Sequence, residues 1–419
     1  MLSITKKILA ASLVTLTVLL AACNASDGET VTTSANTTGE SVTTSAPSET
    51  TAAATEAVTE EATTPETHPA VTEPATDAAT EPQTEPATEP ETDPETEPET
   101  EPETEPRELR VVAYLDDFLC ADLTTFDASN LANVTDVILF SSHFDNAGNV
   151  TIRPDAIAAV QNLRAITQDN PIRIHVNLLG PFSTAGNVSY EEQMDSMAAE
   201  YKKAIDSGVL EQNIKNALEQ YGFDGVFFDY EFPVRREHKD NWGAFLVSLK
   251  AVLGEDYVMG CAISSGSADL PIEAIRAIDM VELMCYDMWE EEDPDTMGMH
   301  SPLSVTIDCW KILRRLGYED DQIDIGMPFY ARPTNHGAYW YSYKDYYDKL
   351  DEDGYYYDET VGLTFSFNNR ETIYQKTAWA IEKGLGGIMV WNYGNDVSGD
   401  SEYSLFRAIR QAKDDSGVH

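Results

Sequence analysis

Short apolar runs recur along the chain from residue 109 onward, and amphipathic segments separate them. The runs are rich in Val, Ile, Phe and Tyr, which favours buried strands. We predict strands at residues 109–115, 134–144, 172–180, 225–231, 257–264, 280–288, 323–331 and 386–394. Segments with helical periodicity include residues 154–168, 190–220, 371–384 and 401–414. Eight strands alternating with helices predict a parallel sheet, and about 310 residues fit a (β/α)8 TIM barrel better than an open sheet.

Polar and aromatic side chains collect where the later predicted strands end. Barrels of this kind carry their active sites at the C-terminal ends of the strands, so these residues are the first candidates for chemistry. They are Asp229 and Glu231 on the fourth strand, Tyr286 and Asp287 on the sixth, Tyr330 and Arg332 on the seventh, and Trp391 on the eighth.

The fourth strand, "GVFFDYE", ends with two acids two residues apart. Strand alternation places Phe227, Asp229 and Glu231 on one face, with Phe227 beneath the acids if that face points to the barrel axis. Two adjacent carboxylates cannot both ionise freely, so one pKa rises and one group stays protonated. Glu231 is the candidate general acid and Asp229 its charged neighbour. A cation site or a salt-bridged structural pair would use the same residues.

Four segments, in order along the chain, resemble glycoside hydrolase family 18, which contains the chitinases and endo-β-N-acetylglucosaminidases. "DGVFFDYE" resembles the family signature DGxDxDxE, "VELMCYDMW" its sixth-strand MxYD, and "GMPFYAR" its seventh-strand GxPFYGR. "TIYQKTAWAIEKGLGGIMVWNYGND" is similar to the segment with the eighth-strand Trp. The resemblance covers residues 109–413. It implies a glycosidase that cleaves β-1,4 linkages of N-acetylglucosamine-containing glycans, such as chitin or chitooligosaccharides.

The family resemblance implies a retaining mechanism in which the substrate's 2-acetamido group is the nucleophile. Glu231 would protonate the glycosidic oxygen, Asp229 would orient the acetamide N–H, and Tyr286 would bond the acetamide oxygen. Neither a cofactor nor a metal is needed. The expected sugar contacts are Trp391 as the apolar floor, Asp287, Tyr330 and Arg332 for hydroxyls, Tyr114 as the first-strand wall, and Trp289 after the sixth strand.

Two positions depart from the family pattern. Phe227 stands where the first Asp of DxDxE is usual, so Asp229 loses an inner partner and is expected to face Glu231 permanently. The third-strand SxGG is "NLLG" here, with Asn177 in the Ser position and Leu179 in place of a Gly. These changes leave two alternatives open: an endo-β-N-acetylglucosaminidase acting on N-glycans or peptidoglycan, and a non-catalytic, lectin-like relative.

The chain before residue 107 has a different composition. Residues 1–22 have Lys6 and Lys7, a short apolar core and small residues before Cys23, which predicts a secretory signal. "LAAC" resembles the bacterial lipoprotein signal, and this implies a lipidated Cys23 that anchors the protein to the membrane at the cell surface. Residues 23–106 are rich in Thr, Glu and Pro and end in "TEPETDPETEPETEPETEP", which predicts a disordered linker. The catalytic domain is therefore predicted at residues 107–414.

The chain has a formal net charge of −46, and the linker explains only part of it. An acidic surface excludes nucleic acid as a partner, whereas a neutral glycan is indifferent to it. Besides Cys23 there are Cys120, Cys261, Cys285 and Cys309, without CxxC spacing, HExxH or a His cluster. We therefore expect no metal site, no required disulfide and a monomeric protein.

Overall fold

Thirteen strands are present in the computed structural model of the protein, which describes residues 108–181, 188–231 and 233–418. In chain order they are β1 (Arg110–Asp116), β2 (Asp136–Phe144), β3 (Val150–Thr151), β4 (Arg173–Leu179), β5 (Gly225–Phe228), β6 (Val258–Ile263), β7 (Met280–Leu283), β8 (Ile323–Pro328), β9 (Tyr330–Pro333), β10 (Tyr341–Ser342), β11 (Tyr355–Asp358), β12 (Leu363–Ser366) and β13 (Gly387–Trp391).

Eight of these strands pair in parallel and close a ring. Its order is β1, β13, β8, β7, β6, β5, β4 and β2, and β2 returns to pair with β1. The predicted (β/α)8 barrel is confirmed. The predicted signal segment, the linker and Cys23 lie outside the described residues.

Several strands end earlier than the apolar pattern predicts. The fourth predicted strand, residues 225–231, stops at Phe228, and the sixth, residues 280–288, stops at Leu283. The seventh, residues 323–331, is divided at Phe329 between β8 and β9. The candidate acids and the Tyr-Asp pair therefore lie on the loops that leave β5 and β7, at the C-terminal edge of the barrel.

Helices on the outside of the barrel cover the sheet and bury a large apolar core. The predicted helix at residues 190–220 is two helices, because Gly208 adopts a left-handed φ of 69° between them. Within the described residues, no helix combines the length and apolar character that crossing a membrane requires. The helices are α1 (Asp117–Ala121), α2 (Pro154–Ile166), α3 (Tyr190–Asp206), α4 (Leu210–Tyr221), α5 (Arg236–Leu253), α6 (Ile272–Ala277), α7 (Leu303–Leu316), α8 (Arg370–Lys383) and α9 (Leu405–Ser416).

A small antiparallel sheet stands between β8 and β13. Its order is β10, β9, β12 and β11, and it follows directly from the end of β8. β9 carries Tyr330 and Arg332, so this sheet extends one wall of the barrel above its C-terminal edge.

The barrel interior is filled in two different ways along its axis. Near the candidate acids it is apolar: Phe227 is fully buried among inward-facing side chains of other strands. At the opposite end it is charged, with ion pairs between Arg110 and Asp324 at 2.8 Å and between Arg173 and Asp136 at 2.7 Å. The sequence interpretation placed Phe227 beneath the acids, and the structure gives it that position.

Phe227 requires a glycine on the neighbouring strand. A Cβ built on Gly260 of β6 would lie 2.0 Å from Cε1 of Phe227. We predict that Gly260→Ala lowers the free energy of unfolding by about 1–3 kcal/mol through overpacking. Urea unfolding measures this loss, and the double variant with Phe227→Leu is expected to recover part of it. Additive effects of the two substitutions would show that the ring and the glycine do not interact.

Candidate active site

Asp229 and Glu231 follow the end of β5 and are buried together. Their side chains are hydrogen-bonded to each other, and the residues are only 8% and 6% exposed. Among the described residues, neither carboxyl forms an ion pair with Lys, Arg or His. Asp229 Oδ1 is buried and receives no hydrogen bond from any described residue. The pair is therefore not the salt-bridged structural pair that the sequence left open.

The environment of the two carboxyls favours retention of one proton. Burial raises the pKa of Glu231 well above its ordinary value, and the negative charge of Asp229 raises it further. Burial also raises the pKa of Asp229, although the hydrogen bond from Glu231 opposes that rise. The proton is shared by the pair, with Glu231 as donor and Asp229 as acceptor.

Tyr286 and Asp287 lie on the turn after β7 and face the same space. Asp287 accepts hydrogen bonds from the Tyr330 hydroxyl at 2.9 Å, from Arg332 Nε at 3.0 Å and from Arg332 Nη2 at 2.9 Å. Burial alone would raise the pKa of Asp287, but the neighbouring His300 and the charge of Arg332 hold it at about 2. Asp287 is therefore charged and fixed, unlike the pair that follows β5.

Aromatic rings form the walls of the site. Trp391, at the end of β13, lies 5.2 Å from the Tyr114 ring and 5.0 Å from the Phe140 ring, both edge-on. Trp340, just before β10, stacks on Tyr330 at 5.3 Å with an interplanar angle of 21°. Flat apolar faces beside polar groups are what a sugar ring needs for binding.

These side chains line one pocket with about 550 Å³ of empty space, which includes space open to solvent. It combines a proton donor, carboxylates, phenols and aromatic faces, which suits a ligand of one or a few sugar rings. Within the described residues, no group of three or more His, Cys, Asp or Glu side chains is arranged to hold a metal ion. The lining residues are Tyr114, Asp229, Glu231, Ala262, Met284, Tyr286, Asp287, Tyr330, Arg332, Trp340, Met389 and Trp391.

The pocket contains every predicted site residue of the barrel except Trp289. The Trp289 indole N–H donates to the Pro333 carbonyl at 2.9 Å, and its ring stacks on His336 at 4.6 Å. These contacts place Trp289 outside the residues that line the pocket, and its sugar contact stays a prediction. Trp340, in contrast, lines the pocket.

Sequence reasoning did not identify three contributors to the site. The tyrosine-rich segment "YWYSYKDYY" allows either sugar contact or packing of the insertion for Trp340. Phe140 and His300 were not selected, because Phe140 belongs to an apolar strand and His300 is a single histidine in a loop, "GMHSPL". The fold places Trp340 in the pocket lining and packs Phe140 against Trp391 and His300 against Tyr330.

A barrel with a buried, proton-sharing carboxylate pair and aromatic walls at its C-terminal edge has the arrangement of a glycosidase active site. Residues 110–396 match the model for glycosyl hydrolases family 18. This match covers more than half of the chain, and the protein belongs to that family. It is a chitinase-like member.

Curated chitinases resemble the chain at low identity. Chitinase A1 of Niallia circulans is 24% identical over 323 residues, which cover 58% of this chain and 45% of the relative. Chitinase 63 of Streptomyces plicatus is 24% identical over 227 residues, which cover 42% and 37%. Chitinase B of Serratia marcescens is 22% identical over 367 residues, which cover 61% and 71%. The chain spans less than half the length of the first two relatives.

Solved structures share the fold. A family 18 chitinase from the chitin utilization locus of Flavobacterium johnsoniae superposes with a TM-score of 0.58 at 21% identity, covering 74% of this chain and 96% of that one. A class V chitinase from Nicotiana tobaccum, in complex with NAG4, gives 0.54 at 18% identity, covering 73% and 99%.

The position of Phe227 beneath the acids leads to a prediction about the pH dependence of the reaction. Phe227→Asp adds a carboxyl beneath Asp229, and its negative charge opposes loss of the shared proton. We expect the alkaline limb of the pH–rate profile to move to higher pH. Phe227→Asn is the matched control, because it has the same shape without the charge. Identical profiles for the Asp and Asn variants would show that the position does not influence the proton.

Proposed function

We propose that the protein hydrolyses β-1,4 linkages of N-acetylglucosamine-containing glycans, chitin or chitooligosaccharides, with retention of configuration. The observation that carries the proposal is the buried Asp229–Glu231 pair, which keeps one proton at the edge of a family 18 barrel. A neutral carboxylic acid is what protonation of a glycosidic oxygen requires. The chitinases among the relatives support the choice of substrate.

In this mechanism the acetamide oxygen of the substrate attacks its own anomeric carbon as the leaving oxygen takes the proton of Glu231. The C1–O bond breaks and an oxazolinium ion forms. Asp229 accepts the acetamide N–H and balances the positive charge of the ion. A substrate N–H would supply the carboxylate with a donor that no described residue provides at Oδ1. Glu231 then takes a proton from water, which opens the ring with retention.

Tyr286 and Trp391 hold the reacting sugar. Burial, and the nearby acidic pair of Glu231 and Asp229, raise the pKa of Tyr286 well above the ordinary value for a phenol. Tyr286 therefore stays protonated and can donate to the acetamide oxygen. Trp391 provides the floor of the pocket, and the rings of Tyr114 and Phe140 support it edge-on.

Asp287, Tyr330 and Arg332 form the polar wall that meets sugar hydroxyls. The guanidinium of Arg332 is almost entirely buried and already donates to both carboxylate oxygens of Asp287. Its contribution to binding is therefore to fix Asp287, and Asp287 presents the charged acceptor. The sequence prediction had Arg332 contact the sugar hydroxyls itself, whereas in this proposal it acts through Asp287.

The principal test compares wild type with Glu231→Gln on chitooligosaccharides and on a high-mannose glycoprotein. We expect wild type to cleave chitooligosaccharides and the variant to lose about 10²–10⁴-fold in kcat, because the amide cannot deliver the proton. Glu237→Gln, on the exposed first turn of α5, is the matched control and should retain activity.

Other outcomes of this comparison would change the function. Cleavage of the glycoprotein alone would identify an endo-β-N-acetylglucosaminidase. Binding of chitooligosaccharides without turnover by wild type would identify a non-catalytic carbohydrate-binding protein.

We also propose that the protein is anchored at the bacterial cell surface through lipidated Cys23, with residues 23–106 as a spacer. The support is compositional: a short apolar segment ends in "LAAC", and acidic Thr-Glu-Pro repeats follow. Cys23→Ala is expected to move the protein from the membrane fraction to the soluble fraction of a bacterial host. Unchanged membrane association of that variant would argue against the anchor.

A further inference from the structure

The turn after β7 presents two pocket residues from a constrained backbone. Asp287 has a φ of 56°, in the left-handed region that residues other than glycine rarely adopt. Tyr286 and Asp287 are adjacent, and both reach the pocket. The turn must be held in place from outside, because its own residues do not favour this conformation.

Two consecutive residues, His300 and Ser301, bind this turn through its backbone. The Ser301 hydroxyl donates to the Cys285 carbonyl at 2.7 Å, and the Met288 N–H donates to the His300 carbonyl at 2.9 Å. Between these two contacts, the Asp287 N–H donates to His300 Nδ1 at 3.3 Å. The His300 side chain therefore meets the residue whose backbone is left-handed.

The imidazole of His300 also reaches the second wall of the pocket. It is fully buried, and Nε2 lies 3.3 Å from the Tyr330 carbonyl oxygen. Its ring packs against the Tyr330 ring at 5.2 Å. One side chain thus connects the turn after β7 with β9.

The charges around His300 decide its protonation. Burial lowers the pKa of His300, Arg332 and Lys376 lower it further, and Asp287 opposes them. The net effect is a neutral ring. With its proton on Nε2 it donates to the Tyr330 carbonyl and accepts the Asp287 N–H. Asp287 Oδ1, 3.1 Å from Nδ1, receives its hydrogen bonds from the Tyr330 hydroxyl and Arg332.

We propose that His300 is a positioning residue: its imidazole fixes the left-handed turn that aims Tyr286 and Asp287 at the substrate. The kinetic part of this inference rests on the proposed function. Tyr286 is needed most as the oxazolinium ion forms, so a loosened turn lowers kcat more than it raises KM.

The test uses three substitutions of His300. His300→Phe keeps a ring of similar shape without nitrogen, and kcat is expected to fall about 10- to 100-fold with KM changed less than about threefold. His300→Asn places an amide oxygen near the Nδ1 position, so it can accept the Asp287 N–H and should recover most of kcat. His300→Gln reaches the Nε2 position instead and should resemble the Phe variant.

A control separates positioning from general destabilisation. Tyr318→Phe removes one buried hydrogen bond, from the Tyr318 hydroxyl to the Ala268 carbonyl at 2.8 Å, outside the pocket lining. It is expected to lower stability without changing kcat. If His300→Phe and Tyr318→Phe have equal kcat, or if His300→Asn is as impaired as His300→Phe, the proposal is wrong.

Hydrogen exchange provides a readout that does not need catalysis. Amides of residues 285–288 should exchange faster in His300→Phe than in wild type, and at the wild-type rate in His300→Asn and Tyr318→Phe. If wild type shows no turnover but this exchange pattern holds, the proposed function fails and the positioning role stands. If exchange at the turn is the same in all variants, the positioning role is overturned whatever the activity.

Discussion

The site depends on two buried carboxyls that share one proton and have no ion pair with a cation among the described residues. Asp229 and Glu231 are buried, and Phe227 closes the space beneath them with an apolar ring. Arg332, the cation that lines the same pocket, donates hydrogen bonds to both carboxylate oxygens of Asp287 instead. Removal of the proton would leave two negative charges in a poorly solvated space, so the pair keeps it. General acid chemistry follows from this constraint.

The three carboxyls of the pocket differ because their surroundings differ. Asp287 has a guanidinium, a phenol and an imidazole around it, and its pKa is about 2. Glu231 has a negative neighbour, and its pKa is raised. Groups whose pKa values are pushed apart in one cavity can take separate roles, here proton donor and fixed anion. At the other end of the barrel, Asp136 of β2 forms an ion pair with Arg173 of β4, which contributes to the stability of the fold.

The sequence predicts the parts of the site that follow from strand geometry. Parallel strands bring their C-terminal ends to one edge, and this placed Glu231, Tyr286 and Trp391 in one pocket without knowledge of any loop. Tyr114, which also lines the pocket, was expected only from the family resemblance. The sequence could not separate Trp289 from Trp340, because that choice depends on the Pro333 carbonyl and His336, contacts formed across more than 40 residues. His300 could not be selected from the sequence either, because a single histidine in a loop belongs to no periodic pattern.

The substitution at Phe227 changes how the acid pair is controlled rather than whether it exists. The sequence interpretation expected Asp229 to face Glu231, and the two carboxyls are hydrogen-bonded in the structure. An apolar ring beneath Asp229 offers no second hydrogen-bond donor, and Oδ1 has none among the described residues. The orientation of Asp229 is therefore set by Glu231 on one side and, in the proposed reaction, by the substrate's N–H on the other. In the proposed reaction, the ligand rather than the protein interior fixes this carboxylate, and binding of the acetamido group completes the site.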